Sequence, residues 1–146
     1  MKYLSLLLSV PLSIGGLSQQ TNDSTTIARL LIADYATMDN MNIPEHLNNL
    51  TTDYLLIEHG EVWNIETELD SIYRKNANKT FKRTDFFTFK TVKISGDMAY
   101  AVWHLRSEFR EGDNVRVRVW NESGAFRKEQ GRWKIALIHS TPERQK

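Results

Sequence analysis

Residues Trp120–Ile135, WNESGAFRKEQGRWKI, carry the clearest β-hairpin signal in this chain. Apolar and polar residues alternate on both sides of Gln130-Gly131, a dipeptide that suits a two-residue hairpin turn. With this turn, Phe126 faces Ile135, and both lie on an apolar face. A three-residue loop would put Phe126 opposite Lys134, so the pattern favours the shorter turn. Continued along both strands, the register predicts two more pairs: Gly124 with Leu137, and Glu122 with His139.

The preceding hairpin selects the same buried face. Counting outward from its turn, Gly112-Asp113, places Trp103 opposite Glu122. The two turns therefore predict a row across three strands, in which Glu122 lies between Trp103 and His139. Since an unpaired carboxylate is costly to bury, Glu122 should be protonated or partnered. Small residues beside it would leave space for a cavity: Ala99, Ala101 and Gly124.

Helices are predicted ahead of these strands. Apolar residues recur at helical spacing from Asp23 to about Asn40. Pro44 suits the first turn of a short second helix, whose buried side would carry Leu47 and Leu50. A third helix can be capped by Asn64.

Strand signals fill most of the remaining chain. Tyr54–Ile57 and Val62-Trp63 flank a turn at Gly60. From residue 81 onward, alternation with period two predicts four long strands: Phe86–Ile94, Met98–Arg110, Val115–Lys128 and Arg132–Ser140. Helices followed by an antiparallel meander predict an α+β domain, with about three N-terminal helices packed on a strongly curved antiparallel sheet.

Several of these segments resemble a known family. Ser95–Ala101, SGDMAYA, is similar to a turn and strand of many NTF2-like domains, and Trp120–Ile135 is similar to their C-terminal hairpin. His139–Thr141 matches their usual close, and Tyr54–Trp63 resembles their first hairpin more weakly. Over about residues 27–141, the chain resembles the DUF4440/SnoaL-like group of the NTF2-like superfamily.

This resemblance implies a cone-shaped NTF2-like domain over residues 19–146, with a pocket at the wide end of the cone and often a dimer. It does not imply one activity. The superfamily includes ketosteroid isomerases, polyketide cyclases, epoxide hydrolases, dehydratases, and modules that only bind or assemble. The isomerase catalytic set, a tyrosine with two aspartates, has no residue-by-residue match in this sequence.

Residues 1–18 have the pattern of a cleavable signal peptide. Lys2 supplies the positive start, Leu4–Leu12 is largely apolar, and Gly16-Leu17-Ser18 places small residues at the cleavage positions. The apolar run is shorter than the ~20 residues that span a membrane, which disfavours the alternative of a retained anchor. We therefore expect an exported domain, periplasmic or extracellular, that begins at Gln19.

The charge balance argues against nucleic acid as a partner. The chain has 19 Lys and Arg and 18 Asp and Glu, and loss of Lys2 with the signal peptide would leave equal numbers. The same balance gives no reason to expect a membrane surface as partner after cleavage. There is no cysteine, which excludes disulfides, zinc–thiolate sites and thiol nucleophiles. We expect no metal and no cofactor.

Glu122 and His139 are the candidate catalytic residues. In an apolar setting the pKa of a carboxyl rises, and a neighbouring imidazole can exchange a proton with it. The alternative is a hydrogen-bonded pair that only holds the sheet together, and the sequence does not separate the two. The candidate ligand-binding residues are aromatic: Trp63, Trp103, Trp120 and Tyr35. For Trp63 and Tyr35 the alternative is packing in the core, with the Tyr35 hydroxyl at the rim, and packing is favoured for both.

Asp34 falls on the apolar face of the first helix. It is either a second pocket carboxylate or a helix-edge acid paired with Arg or Lys, and the pairing is favoured because no turn defines the rotation of this helix. His59, with Glu58 and Glu61, forms no recognised metal motif and suits a solvated turn. Two further histidines are predicted to lie at the surface: His46 and His104.

The first functional hypothesis is a pocket that binds a small apolar or amphipathic organic molecule. The first alternative is a cofactor-independent acid/base enzyme of isomerase, cyclase, dehydratase or hydrolase type that uses Glu122 and His139. The second alternative is a dimeric assembly module. A homodimer would form through the face opposite the pocket, whose predicted side chains are too apolar to lie comfortably in water: Tyr100, Val102, Ser123, Ala125, Ala136 and Ile138.

Overall fold

The computed structural model describes residues 15–143, with side chains from residue 22 onward. Residues 1–14 of the expected signal peptide lie outside this range, and cleavage after Ser18 stays a prediction. The helices are α1 (Gly15–Asn40), α2 (Ile43–Asn49) and α3 (Ile65–Glu68). After α3 the chain forms a π-helical turn and then a 3-10 turn: Leu69–Tyr73 and Arg74–Asn76.

The helices lie where the sequence predicts them, with one difference in extent. α1 begins at Gly15 rather than near Asp23, and no proline interrupts the residues between them. Asn42 caps α2, and its side chain accepts a backbone N–H hydrogen bond of 3.2 Å. Asn64 caps α3 as predicted, accepting from the Thr67 N–H at 3.0 Å.

The strands are β1 (Leu50–Glu58), β2 (Glu61–Trp63), β3 (Lys82–Ser95), β4 (Met98–Glu111), β5 (Asn114–Glu129) and β6 (Arg132–Pro142). They form one curved sheet in the order β2-β1-β6-β5-β4-β3. β3 to β6 form the predicted antiparallel meander, whereas β1 pairs parallel with β6. Three helices packed on this mostly antiparallel sheet confirm the predicted α+β architecture.

Both long hairpin turns are present as predicted. Gly112-Asp113 joins β4 to β5 in one uninterrupted register, so that Trp103 faces Glu122. Gln130-Gly131 joins β5 to β6 with positive φ at both residues, 51° and 77°, which a type I′ turn requires. Next to this turn, Phe126 faces Ile135, also as predicted.

A bulge at Ala136 then changes the register of β6. Before it, Phe126 faces Ile135; after it, Ala125 faces Leu137. Because side chains alternate between the two faces of a strand, every residue of β6 beyond the bulge turns to the face opposite the predicted one.

The predicted pairing of Glu122 with His139 is wrong for this reason. Glu122 faces Ser140, and His139 is exposed on the other side of the sheet. Gly124 is a sequence signal of the bulge, because a Cβ at this position would lie 2.9 Å from the Leu137 carbonyl oxygen. The backbones of β5 and β6 can approach this closely only where β5 has no side chain.

The core lies between the helices and the sheet. Residues with almost no exposed surface come from α1 and from the inward faces of three strands: Ile27, Leu31, Trp103, Leu105, Phe126 and Ile135. Leu47 is 45 % exposed, so its predicted place on the buried side of α2 is wrong; that side carries His46 and Asn49. Within the described residues, no helix combines the length and the hydropathy needed to span a bilayer.

The outward face of the sheet exposes several large apolar side chains. Tyr100 is 52 % exposed and Met98 is 50 % exposed. Ile138 was predicted for this face, but it lies buried on the inward face because it follows the bulge at Ala136.

Candidate functional site

Glu122 is the acceptor in a buried hydrogen-bond network. It lies in β5 and is 5 % exposed. Its Oε2 accepts hydrogen bonds from the Tyr35 hydroxyl at 2.8 Å and from Trp103 Nε1 at 2.7 Å. Its Oε1 accepts one from the Ser140 hydroxyl at 2.9 Å. This carboxyl group therefore ties α1, β4 and β6 to β5.

Burial raises the pKa of Glu122 from 4.5 to about 7. A charged carboxylate is disfavoured where water is excluded, whereas the three donors favour the charged form and offset part of the rise. Burial, followed by the charge and hydrogen bond of Glu122, also raises the pKa of Tyr35 well above its usual 10. Tyr35 therefore remains a hydrogen-bond donor while Glu122 titrates.

A cavity of about 250 Å³ opens beside this network. Glu122 and Tyr35 form part of its wall, and the indoles of Trp63 and Trp120 provide apolar surface. Three further acidic residues belong to the lining: Asp34, Glu58 and Glu68. The cavity therefore combines aromatic surface with several buried carboxyl groups.

Of the predicted catalytic pair, only Glu122 reaches this cavity. Ser140 occupies the position predicted for the His139 imidazole, because the bulge shifts β6 by one residue. The proton-exchange partner proposed from the sequence is thus replaced by a hydroxyl group. The hypothesis that Glu122 and His139 form an acid/base pair is therefore wrong.

Trp103 lies behind the cavity wall rather than forming it, which corrects its prediction as a ligand-binding residue. Its side chain is fully buried, and its Nε1 is committed to Glu122. The space predicted beside Gly124 is also filled, since a Cβ at that residue would lie 3.2 Å from the Trp103 ring. The small residues accommodate an indole, and the cavity opens instead toward Trp63 and Trp120.

A second buried network lies in the cavity wall formed by α1 and α3. Asp34 Oδ1 is 3.0 Å from His46 Nδ1 and accepts a 3.1 Å hydrogen bond from Asn49 Nδ2. On the other side of the ring, His46 Nε2 is 3.6 Å from Glu68 Oε1. His46 is 2 % exposed, so its prediction as a surface residue is wrong.

The two carboxylates hold His46 in its protonated form. Burial by itself would lower the pKa of His46, but hydrogen bonding to Asp34 and the nearby Glu68 outweigh it and raise the pKa from 6.5 to about 9. Asp34 is therefore a cavity carboxylate, and its partner is a histidine rather than the expected Arg or Lys. The sequence holds one signal of this network: His46 and Asn49 are three residues apart on α2, and residues at that spacing share one helix face.

Glu58 and His59 lie at the edge of the cavity, where β1 turns into β2. His59 Nε2 is 3.3 Å from Glu58 Oε1, and the His59 side chain is 66 % exposed, as expected for a solvated turn. Burial raises the pKa of Glu58. Across residues 15–143, no group of three or more His, Asp or Glu side chains is arranged to hold a metal ion.

Residues 25–142 match the SnoaL-like domain family. The chain belongs to this family. The SnoaL-like match spans both buried networks, from Asp34 on α1 to Ser140 on β6. No curated protein matches the sequence significantly.

Solved structures share the fold of this SnoaL-like domain at low sequence identity. A conserved protein from Planctomyces limnophilus has a TM-score of 0.73 and 20 % identity, covering 85 % of this chain and 100 % of that one. A proposed dehydratase of the NTF2-like family from Streptomyces avermitilis has a TM-score of 0.72 and 19 % identity, covering 86 % and 99 %. A ketosteroid isomerase-like protein from Erwinia carotovora atroseptica has a TM-score of 0.66 and 20 % identity, covering 84 % and 98 %. At these identities the neighbours show the NTF2-like fold alone.

The protonated His46 should make the stability of the SnoaL-like domain depend on pH. Because folding raises the pKa of His46 from 6.5 to about 9, its contribution is complete below pH 6.5 and is lost as pH rises through 9. We expect the free energy of unfolding, measured by urea denaturation, to fall by about 2–3 kcal/mol across this interval. Four titratable groups surround the imidazole, and they come from α1, α3, β1 and the π-helical turn after α3: Asp34, Glu68, Tyr54 and Tyr73.

The variant His46→Gln should remove this fall whatever its absolute stability. His104→Gln is the matched control, because His104 is partly exposed on β4, with Nε2 3.9 Å from Glu143. The free energy of unfolding of His104→Gln should still fall over this pH interval, as it does in the unaltered protein. The assignment fails if His46→Gln loses stability over this interval as steeply as the unaltered protein.

Proposed function

We propose that this SnoaL-like protein binds a small organic molecule in the cavity and that Glu122 exchanges a proton with it. The observation that carries the proposal is a carboxyl group in the cavity wall, 5 % exposed, whose pKa burial raises to about 7. A group with this pKa exists in both protonation states near neutral pH, which is the optimum for general acid or base catalysis. The ligand would be amphipathic, because the lining is partly aromatic and partly acidic.

The hydrogen bonds of Glu122 suggest which oxygen carries the proton. A carboxylate has about four lone-pair sites, two on each oxygen. On Oε2 both are directed to donors, Tyr35 and Trp103, whereas Oε1 accepts only from Ser140. Oε1 therefore has the free position for proton exchange. The donors hold the group in place and stabilise the charge that forms when the proton leaves.

The names of two structural neighbours support the class of chemistry. One is a proposed dehydratase and another is ketosteroid isomerase-like. Dehydration and isomerisation both move protons on small organic molecules, which is what a buried carboxyl of this pKa can do.

A second candidate function is ligand binding without reaction. It is favoured by the same three hydrogen bonds, because they already satisfy Glu122 within the protein and would suit a purely structural tie between α1 and the sheet. Replacement of the carboxyl by an amide of the same shape separates the two.

Glu122→Gln should abolish turnover while the fold survives. The unaltered protein should show a carboxyl group that titrates near pH 7 in ¹³C NMR, and this signal should be missing in the variant. Turnover would be screened with carbonyl, ester and epoxide substrates. Glu129→Gln, on the same strand but paired with Arg127 near the hairpin turn, is the matched control and should retain both properties.

If Glu122 is only structural, Glu122→Gln will change the free energy of unfolding, by about 1–3 kcal/mol, and leave turnover and ligand binding intact. A melting curve of both variants, recorded beside the activity screen, shows which result applies. Retention of full turnover by Glu122→Gln would refute the proton-transfer role.

We also propose that the protein is exported and that the mature chain begins at Gln19. Support comes from the positive Lys2, the apolar Leu4–Leu12 and the small residues of Gly16-Leu17-Ser18. N-terminal sequencing of protein recovered outside the cytoplasm should give Gln19 as the first residue. Exported material that still begins at Met1 would contradict the cleavage.

Self-association through the outward face of the sheet is a further proposal. Tyr100 and Met98 are about half exposed on β4, and Phe86 on β3 is 47 % exposed. A second copy could cover this surface in an isologous pair. Light scattering at micromolar concentration should give the mass of a dimer, and Tyr100→Lys should give a monomer. A monomeric unaltered protein would count against it.

A further inference from the structure

The lining of the cavity carries more negative than positive charge. This observation deepens the proposed function, on which the inference rests, because it concerns the ligand of the same cavity. Four acidic residues of the described chain line the cavity, one each from α1, α3, β1 and β5: Asp34, Glu68, Glu58 and Glu122. The basic residues of the lining are Arg83 and, at the edge, His59.

The network around His46 leaves one of these negative charges uncompensated. Asp34 and Glu68 flank a single imidazolium, so the three groups together have a net charge of −1 while His46 is protonated. All three are at least nine-tenths buried. The excess charge is therefore poorly screened by water, and an opposite charge in the cavity would be strongly favoured.

Arg83 does not supply that opposite charge, because its guanidinium is already paired with the carboxylate of Asp85. Its Nε donates a 2.9 Å hydrogen bond to Asp85 Oδ1, and both side chains lie on β3. Its guanidinium also lies over two aromatic rings, 5.7 Å from the centre of Tyr35 and 5.5 Å from that of Phe109. These contacts hold it at the wall and pair its charge.

Two buried polar atoms of the lining make no hydrogen bond of normal geometry among the described residues. They are Tyr54 Oη and Glu68 Oε2, on residues that are each 4 % exposed. Burial, followed by the charges of Glu68 and Asp34 and a weak hydrogen bond to Glu68, raises the pKa of Tyr54 well above 10, so the phenol stays neutral. Unpaired buried polar groups are costly, and a ligand with N–H donors would satisfy the acceptor and reduce that cost.

The apolar part of the lining suits the same kind of ligand. Aromatic residues line the cavity, among them Trp63, Trp120 and Tyr54. Aromatic faces attract cations, most strongly where water is excluded. At about 250 Å³, the cavity lies just below the roughly 300–1,000 Å³ of typical ligand pockets, so it suits a small ligand of about one ring with a short substituent.

We propose that the cavity selects a small organic cation, an ammonium group on an aromatic or aliphatic body. The ammonium group pairs with the excess charge of Asp34 and Glu68 and donates hydrogen bonds to Glu68. The apolar body packs against Trp63 and Trp120. Glu122, on the wall formed by β5, then exchanges a proton with the bound molecule.

The test compares three probes of one size by isothermal titration calorimetry at pH 7.5: benzylamine, benzyl alcohol and benzoate. Benzylamine should bind at least about tenfold more tightly than benzyl alcohol, because its ammonium group meets the excess negative charge and makes a charge-assisted hydrogen bond to Glu68, about twice as strong as a neutral one. Benzoate should bind most weakly. The comparison uses the unaltered protein and so does not depend on any variant folding.

Two matched variants locate the selectivity. Glu68→Gln removes the charge and keeps the shape, and it should reduce the advantage of benzylamine over benzyl alcohol to less than about threefold. Glu66→Gln changes an exposed acid two residues away, which pairs with Arg74, and should leave the advantage unchanged. Circular dichroism verifies that both variants are folded.

The possible failures are distinguishable from failure of the proposed function. Equal affinity for benzylamine and benzyl alcohol, or tighter binding of benzoate, overturns the choice of a cation but leaves a cavity that binds small organic molecules. Absence of binding by all three probes overturns the choice of a cation as well, and the Glu122 titration and turnover screen then decide the proposed function by themselves.

Discussion

The need to satisfy a buried carboxyl group at Glu122 constrains the rest of the site. Its donors come from three different elements: Tyr35 from α1, Trp103 from β4 and Ser140 from β6. A carboxyl without these donors would be costly at 5 % exposure, so the position of α1 on the sheet and the register of β6 are coupled to it. The cavity begins where this network ends, on the side of Trp63 and Trp120.

Two buried networks line this cavity, and they differ in the charge of the groups that surround the titrating residue. Glu122 has only neutral donors, so burial raises its pKa toward neutrality and its proton is exchangeable. Asp34 and Glu68 have an imidazolium between them, and His46 keeps its proton up to about pH 9. Glu122 can therefore gain or lose a proton near neutral pH, while His46 keeps its proton between Asp34 and Glu68. The proposed function would use both properties, Glu122 to move a proton and the pair of Asp34 and Glu68 to hold a charged ligand.

The β-hairpins were predictable because turns and alternation are local properties of the chain. Gly112-Asp113 and Gln130-Gly131 defined two turns, and the register counted from the first held along the whole of β4 and β5. The register counted from the Gln130-Gly131 turn was correct only as far as Phe126, because the bulge at Ala136 inserts one residue into β6. The inward position of Glu122 was thus predicted correctly, while its neighbour on β6 was not.

Local sequence patterns were enough to predict the element order, the two hairpin turns, the inward position of Glu122 opposite Trp103, and the resemblance to SnoaL-like domains. All of these follow from periodicity, turn chemistry and motifs read within short windows. Tertiary structure decided that Ser140 rather than His139 meets Glu122, that Trp103 fills the space left by Gly124, and that His46 is buried between Asp34 and Glu68. These features depend on how close two backbones approach and on how a helix is rotated against a sheet. Neither is encoded in the alternation of a single segment, because the packing of distant segments sets both.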